Sequence, residues 1–484
     1  MLPAIQLDSN SEMPLYRQLS QQLKAHIQSG RLAHGERLPA TRELAGSLGL
    51  NRATVAAAYE ILEGEGLLKG HVGRGSFVNG SAVAVNEPLS AAPAGPTLAM
   101  PPTGISFASS RPAAALFPME EFRETCQQVL GSAELPNILQ LGSPAGYPAL
   151  RRYLLEEARG RRDAAAADDI LITSGCQQAL DLLQRVLVGP GDTVLMEDPV
   201  YPGLRAVFAS AGARVSGVRM GADGIDLGGL EGALRRERPK LLVVTPNFQN
   251  PTGASLPMEA RTRLLEMAAT AGVLVVENDI YGSLRYRGQA LPSLKALDGR
   301  GNVVQLGSFS KIAFPGLRVG WVIADAALIA RLTEAKQWCD LHSDQLSQAI
   351  LYRFAESGRL AAHAERIRGE GLVRLEAALE ACAAELPPGS TFTRPDGGMS
   401  LWVRLPEPLD AGELLPRAER AGVNYLPGKY FAVSRTETAG LRLCFAGLPP
   451  EEIREGLSRL GDVFHDEFER VRAARRQEPA PALV

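Results

Sequence analysis

At 484 residues, with 45% apolar and 22% charged side chains, the chain exceeds the size of a single hydrophobic core and has an ordinary globular composition. No apolar run approaches the roughly 20 residues of a membrane helix. The net charge of −3 excludes a bulk electrostatic attraction to nucleic acid, so any DNA contact has to come from a local patch. Five scattered cysteines (Cys126, Cys176, Cys339, Cys382 and Cys444), never spaced as Cys-x-x-Cys, argue against a disulfide framework and a zinc site, and no metal is expected. The N-terminus, with Asp8 and Glu12 and no basic start before an apolar run, does not read as a secretory signal. A cytoplasmic protein without membrane contact is the expectation.

From Pro14, apolar residues recur at helical intervals up to Gly30. Thr41 is placed to cap a short helix through Leu48, Gly49 permits a tight turn, and Asn51 is placed to cap a longer helix to about Glu63. The runs Gly66–Gly70 and Val72–Val78 then read as a two-stranded wing. Helix, tight turn, helix and wing make a DNA-reading module over residues 1–78. Residues 1–80 hold eight Lys or Arg against seven Asp or Glu, so composition alone does not single out a DNA face. Position does more, because Glu36, Glu60, Glu63 and Glu65 fall outside the expected contact face, whereas Arg42, Arg52, Lys69 and Arg74 fall on it.

The Leu38–Ala45 run, Asn51-Arg52-Ala53-Thr54-Val55 and the Gly73–Val78 ending resemble the GntR family of winged-helix regulators. That resemblance implies DNA contacts from Arg42, Arg52 and Thr54, with Asn51 as a secondary candidate. It assigns the minor groove to the wing tip, Lys69, His71, Arg74 and Gly75.

Residues 79–104 are rich in Ala, Pro, Ser and Gly with few charges, the composition of a linker. Beyond Asp168, β-rich runs (170–173, 194–196, 241–244, 273–276, 303–306 and 317–322) alternate with helical patterns, which implies a mainly parallel sheet covered by helices. In such a sheet the chemistry gathers at the strand ends. Lys311, in Ser308-Phe309-Ser310-Lys311, follows by thirty-two positions Asp279, which closes an apolar run. A lysine can hold the aldehyde of pyridoxal phosphate as a Schiff base, and a carboxylate facing the pyridine nitrogen keeps it protonated. Ser174-Gly175-Cys176-Gln177 opens a helix after a strand, and Ser308, Ser310 and Arg318 can add hydroxyls and a charge to the same phosphate. Tyr201 can stack on the ring, and Asn250 and Tyr281 can donate to its oxygen. Arg442, and beside it Arg205, can take an amino-acid carboxylate.

These motifs, in this order, resemble fold-type I enzymes of the class I aminotransferase group over residues 105–465, which implies an α/β fold with a smaller α+β C-terminal subdomain. Leu141 stands where that group usually has an aromatic residue reaching the neighbouring subunit's phosphate. A GntR-type winged helix, a linker and an aminotransferase-like domain in one chain resemble the MocR family of bacterial regulators. The resemblance implies a homodimer that binds double-stranded operator DNA, carries pyridoxal phosphate and senses an amino acid, an amine or the cofactor itself. A working aminotransferase with an appended DNA module remains the alternative. Residues 466–484, charged and then interrupted by proline, are expected to form a disordered tail.

Overall fold

The computed structural model describes residues 5–8, 13–28, 31–32, 35–71, 75–79 and 104–477. The chain divides into two compact units, Met1–Ser90 and Ala91–Val484. Of the expected linker, only Asn79 and Gly104 lie among the described residues.

In the first unit, helices α1 (Leu15–Gln28), α2 (Thr41–Leu48) and α3 (Arg52–Gly64) precede strands β1 (Leu68–His71) and β2 (Gly75–Val78), which pair antiparallel with Leu68 opposite Val78. Leu19, Leu23, Leu44, Val55, Leu62 and Val78 close the core between them. Two of the three expected helix signals act as read. Gly49 takes the left-handed conformation at φ +65°, and the Asn51 side chain accepts from the Ala53 amide at 3.1 Å. Thr41 does not cap: it is the first residue of α2, and the cap position is Ala40, with no side-chain bond.

The second unit is built on an eight-stranded sheet. After a short strand β3 (Ile105–Ser106), the chain lays down β4 (Asp168–Thr173), β5 (Thr193–Asp198), β6 (Arg214–Gly221), β7 (Gly224–Ile225), β8 (Leu241–Val244), β9 (Leu274–Asn278), β10 (Val303–Ser308) and β11 (Gly320–Asp325). Their spatial order is β4-β11-β10-β9-β8-β5-β6-β7. The run from β10 through β6 is parallel, while β11 runs antiparallel to both its neighbours. The parallel strands β5, β8, β9 and β10 are buried nearly throughout because helices cover both faces.

A smaller C-terminal sheet of β12 (Thr391–Phe392), β13 (Ser400–Arg404), β15 (Leu426–Pro427) and β16 (Gly440–Cys444) packs with the helices Arg359–Glu385 and Pro450–Gln477. Between β13 and β15 the strand β14 (Val423–Asn424) pairs in parallel with β3 and so brings the start of the unit onto this subdomain. The last helix runs to Gln477, past the expected end at 465. Pairs spaced three apart, Arg470–Glu467 at 2.8 Å and Arg472–Glu469 at 3.2 Å, line its final turns.

Among the described residues, one ion pair has both side chains buried. Lys295 Nζ lies 3.0 Å from Asp168 Oδ1, both side chains 5% exposed, and ties the start of β4 to the helix Leu294–Leu297. Removing one partner leaves a buried charge unpaired, so Lys295→Met should lower unfolding stability by about 3–5 kcal/mol in urea titration. A loss below about 1 kcal/mol would show that water reaches the orphaned carboxylate.

Candidate functional site

The strand ends of the central sheet deliver the expected residues to one place. Asp279 and Tyr281 follow β9, Asn250 follows β8, Ser308 ends β10, and Ser174 to Cys176 follow β4. Asn250 donates Nδ2 to the Tyr281 hydroxyl at 3.2 Å. Arg442, on β16, donates Nη1 to Asn250 Oδ1 at 2.9 Å and Nη2 to the Ala108 carbonyl at 2.5 Å, with its guanidinium 5.0 Å from the Phe431 ring centre. Its buried Nε has no hydrogen-bond partner among the described residues. Lys311 donates Nζ to the Ser110 carbonyl at 2.8 Å and stands 5.6 Å from the centre of the Tyr281 ring.

A second group gathers around the helix Cys176–Leu187. Gly175 precedes it at φ +83°, and a Cβ there would fall 2.4 Å from Arg318 Nη2, so only glycine allows the guanidinium this close. Arg318 is itself left-handed at φ +55° and exposed, 3.5 Å from both Ser310 Oγ and the Ser174 carbonyl. Contacts of that length hold the guanidinium loosely. Ser308 is engaged within the chain, accepting from the Ser310 amide at 3.0 Å and donating to the Val319 carbonyl at 3.3 Å. Gln177 donates to the Gly203 carbonyl at 3.3 Å, and Tyr201 is 44% exposed. The Cys176 thiol donates to the Gly307 carbonyl at 3.3 Å, and burial pushes it up to about 12. It is a neutral donor, not a nucleophile.

Asp279 is held by a residue the sequence reading did not single out. Asn247 donates Nδ2 to Asp279 Oδ1 at 2.8 Å, while Asn247 Oδ1 accepts from Arg261 Nη2 at 2.6 Å. Arg261 is 0% exposed, and its remaining donors meet the carbonyls of Leu256, Pro292 and Pro246. Burial raises the Asp279 carboxyl, and the Asn247 hydrogen bond and the Arg261 charge pull it back down.

Arg205 donates Nη1 to the carbonyl of Ala432, next to the Phe431 ring that Arg442 lies over, and its buried Nε has no hydrogen-bond partner among the described residues. The Val433 and Ser434 amides of that segment are held by Asp198 at 3.0 and 3.1 Å. Leu141 is 73% exposed. In the first unit, Arg42, Asn51, Arg52, Lys69 and Gly75 are exposed and Thr54 is half-buried, while Arg74 and the side chain of His71 lie outside what is described. Two features there went unread. Arg37 lies beside Gly75 at the wing, 3.2 Å from where a Cβ would stand, and Glu63 accepts from the wing hydroxyl of Ser76 at 3.3 Å instead of keeping clear of it.

The donors fit a phosphorylated pyridine aldehyde. A helix N-terminus, a glycine without Cβ and a loosely held arginine suit its phosphate. A carboxylate on a hydrogen-bonded platform suits the ring nitrogen, and an amine held down at about 8 by burial suits the aldehyde.

Residues 103–460 match the family aminotransferase class I and II, and residues 15–78 match bacterial regulatory proteins of the gntR family. The chain is 37% identical over 372 residues to aromatic-amino-acid aminotransferase 1 of Thermococcus litoralis, covering 76% of this chain and 89% of that protein. It is 30% identical over 475 residues to the probable rhizopine catabolism regulatory protein MocR of Rhizobium meliloti, covering 95% of each. Among solved structures, the α-aminoadipate aminotransferase LysN of Thermus thermophilus, complexed with N-(5'-phosphopyridoxyl)-L-leucine, superimposes with a TM-score of 0.71 at 38% identity, over 76% of this chain and 93% of that one.

The depressed Lys311 amine has a measurable consequence. Between about 8 and the ordinary 10.5, the unfolded chain binds a proton at this lysine that the folded chain does not, so stability rises with pH across that window. In cofactor-free protein, Lys311→Leu should therefore be more stable than the parent at pH 7, by as much as roughly 3 kcal/mol. The gap should close as pH rises from 8 to 10.5. Urea titrations at stepped pH read it directly, and a gap independent of pH would mean an amine in ordinary contact with water.

Proposed function

The chain belongs to the MocR family, GntR-type winged helices fused to a pyridoxal phosphate-dependent aminotransferase-like domain, and from that premise we propose that its second unit senses an amino acid or amine to set the DNA affinity of its first. The observation that carries this reading is the length of the match to MocR. A relative named as a regulatory protein covers 95% of the chain, whereas the aminotransferase relative covers 76% of it.

In this reading Arg318, Ser310 and the N-terminus of the helix Cys176–Leu187 hold the cofactor phosphate, Asp279 faces the ring nitrogen, and Tyr201, Asn250 and Tyr281 border the ring. Bound pyridoxal phosphate supplies an aldehyde and an electron-withdrawing ring. Lys311 holds and releases that group, accepting or giving up a proton at Nζ, and its low proton affinity favours the neutral amine near pH 8. Arg442 takes the carboxylate of an amino-acid ligand, since its buried Nε and its aim toward Asn250 are fixed in advance. Arg205, committed to the Ala432 carbonyl, steadies the segment under Arg442. The ligand shifts DNA binding only by the difference in its affinity for the two states of the chain, typically about 5–150-fold.

On the DNA side, Arg42, Arg52, Lys69 and Gly75 form the contact face, with Asn51 and Thr54 beside them. The second unit forms a homodimer, which would cover the exposed Leu139 and Leu141. A cytoplasmic location agrees with the absence, among the described residues, of any helix long and apolar enough to cross a membrane.

The test uses the full chain loaded with pyridoxal phosphate and a duplex selected on it from a random pool. Arg52→Ala should weaken binding to that duplex by about 1–3 kcal/mol, roughly 5- to 150-fold, with the cofactor absorbance unchanged. Lys311→Ala should keep the basal DNA affinity and lose any change caused by an amine ligand. A ligand response that survives Lys311→Ala removes the lysine from the mechanism. Rapid oxo-acid release with no effect on DNA binding would move the chain to the aminotransferase reading.

A further inference from the structure

A third segment pairs with the two-stranded wing. The Leu38 amide donates to the Ser76 carbonyl at 3.0 Å and the Val78 amide to the Glu36 carbonyl at 2.9 Å, which sets Arg37 opposite Phe77 in an antiparallel bridge. On the other side of β2, Lys69 of β1 also stands opposite Phe77. Laterally paired residues put their side chains on the same face of a sheet, and successive residues alternate between faces. Arg37, Phe77 and Lys69 therefore form one row across the wing.

The two faces of this sheet differ in burial and in charge. Leu68 and Val78 turn inward and close the core of the unit, 3% and 1% exposed. Gly70 and Ser76 share their face, and there Glu63 of α3 accepts from the Ser76 hydroxyl. The opposite face carries Arg37 and Lys69, both exposed, on either side of the half-buried Phe77, with Gly75 two residues along β2. A Cβ on Gly75 would stand 3.2 Å from Arg37 Nε, so the Arg37 side chain lies over that glycine. No ion pair holds either cation among the described residues. The acid of the wing is drawn to the inner face, and its free positive charge stands on the outer one.

We propose that this outer face is a phosphate-binding surface of the DNA interface, in which Arg37, beside Lys69, contacts the DNA backbone and adds affinity without reading sequence. The assignment rests on the first unit as the DNA-reading module. A guanidinium matches phosphate through parallel N–H donors, and a phosphate contact contributes by releasing condensed counterions whatever the bases are. Exposed cations on the edge of a sheet also discourage pairing with another chain. That second role involves no contact with DNA, so the salt dependence of binding separates the two.

Full-length protein loaded with pyridoxal phosphate, titrated onto the selected duplex and onto a shuffled duplex of equal length and composition at stepped salt, tests this by fluorescence anisotropy. Arg37→Ala should weaken binding to both duplexes by the same factor, roughly three- to tenfold at low salt, and lower the slope of log affinity against log salt by about one. Arg37→Lys, which keeps the charge, should restore the slope. An unchanged slope in Arg37→Ala, or one that Arg37→Lys fails to restore, overturns the phosphate contact. A loss confined to the selected duplex also overturns it, by making Arg37 a reader of bases, and so does tighter binding by Arg37→Ala, which would place the face against another part of the protein. If the parent protein binds neither duplex, the DNA reading itself fails and takes this contact with it.

Discussion

A buried hydrogen bond from Arg442 to Asn250 is one of the links that tie the C-terminal sheet to the central sheet, and it lies at the candidate site. Arg442 comes from the C-terminal sheet, and Asn250 from the loop behind a parallel strand. Asn250 passes the connection on to Tyr281, whose ring faces Lys311. An arginine 3% exposed is destabilising unless its donors are satisfied. Its other terminal nitrogen is met by the Ala108 carbonyl, close to the start of the unit. Any acid that binds this guanidinium has to fit among partners already in place, so the arginine is pre-aimed and the ligand bears little of the ordering cost.

Partners fixed in advance also govern the acids behind the ring. Glu277 and Asp279, two residues apart at the end of β9, would repel as a buried pair. Glu277 is pushed up to about 8 by burial while accepting the Leu294 and Lys295 amides at 2.7 and 2.9 Å. It stays a structural group that fastens a short helix to the sheet. Asp279 instead receives Asn247 and, behind it, the full guanidinium of Arg261, which favours its ionised form. One carboxylate is occupied by backbone donors and the other by an asparagine with a buried arginine behind it, although burial raises both.

Much of this was legible in the sequence because parallel strands buried on both faces must be apolar runs, and those runs end where the site begins. The glycine at 175 and the arginine at 318 stood out at two such ends, and the fold brings them together. The antiparallel direction of β11 left no trace in its composition, since burial alone dictates apolar residues in either direction. Strand β6 went unread because its partly exposed pattern lacks an apolar run. Arg261 resembles any solvent-facing helical arginine until Asn247 and three carbonyls are folded around it. The helix to Gln477 outran its expected end because polar pairs at helical spacing can sustain a helix without a continuous apolar face.

The first unit poses a different electrostatic question, because its charges nearly cancel and yet it has the fold of a DNA reader. Arg52 is the first residue of α3 and Arg42 the second of α2. The helix macrodipole disfavours a cation in a first turn, and α3 has no acid there to offset it. Both side chains are exposed, so neither is placed by the needs of the core. Glu63, by contrast, is drawn against the wing by Ser76 and lies next to Gly70, where it limits how negative a surface the wing presents to a phosphate only by staying engaged. Exposed cations at helix N-termini are the ones whose placement a polyanion would offset, and net charge, which averages them with Glu36 and Glu65, hides them.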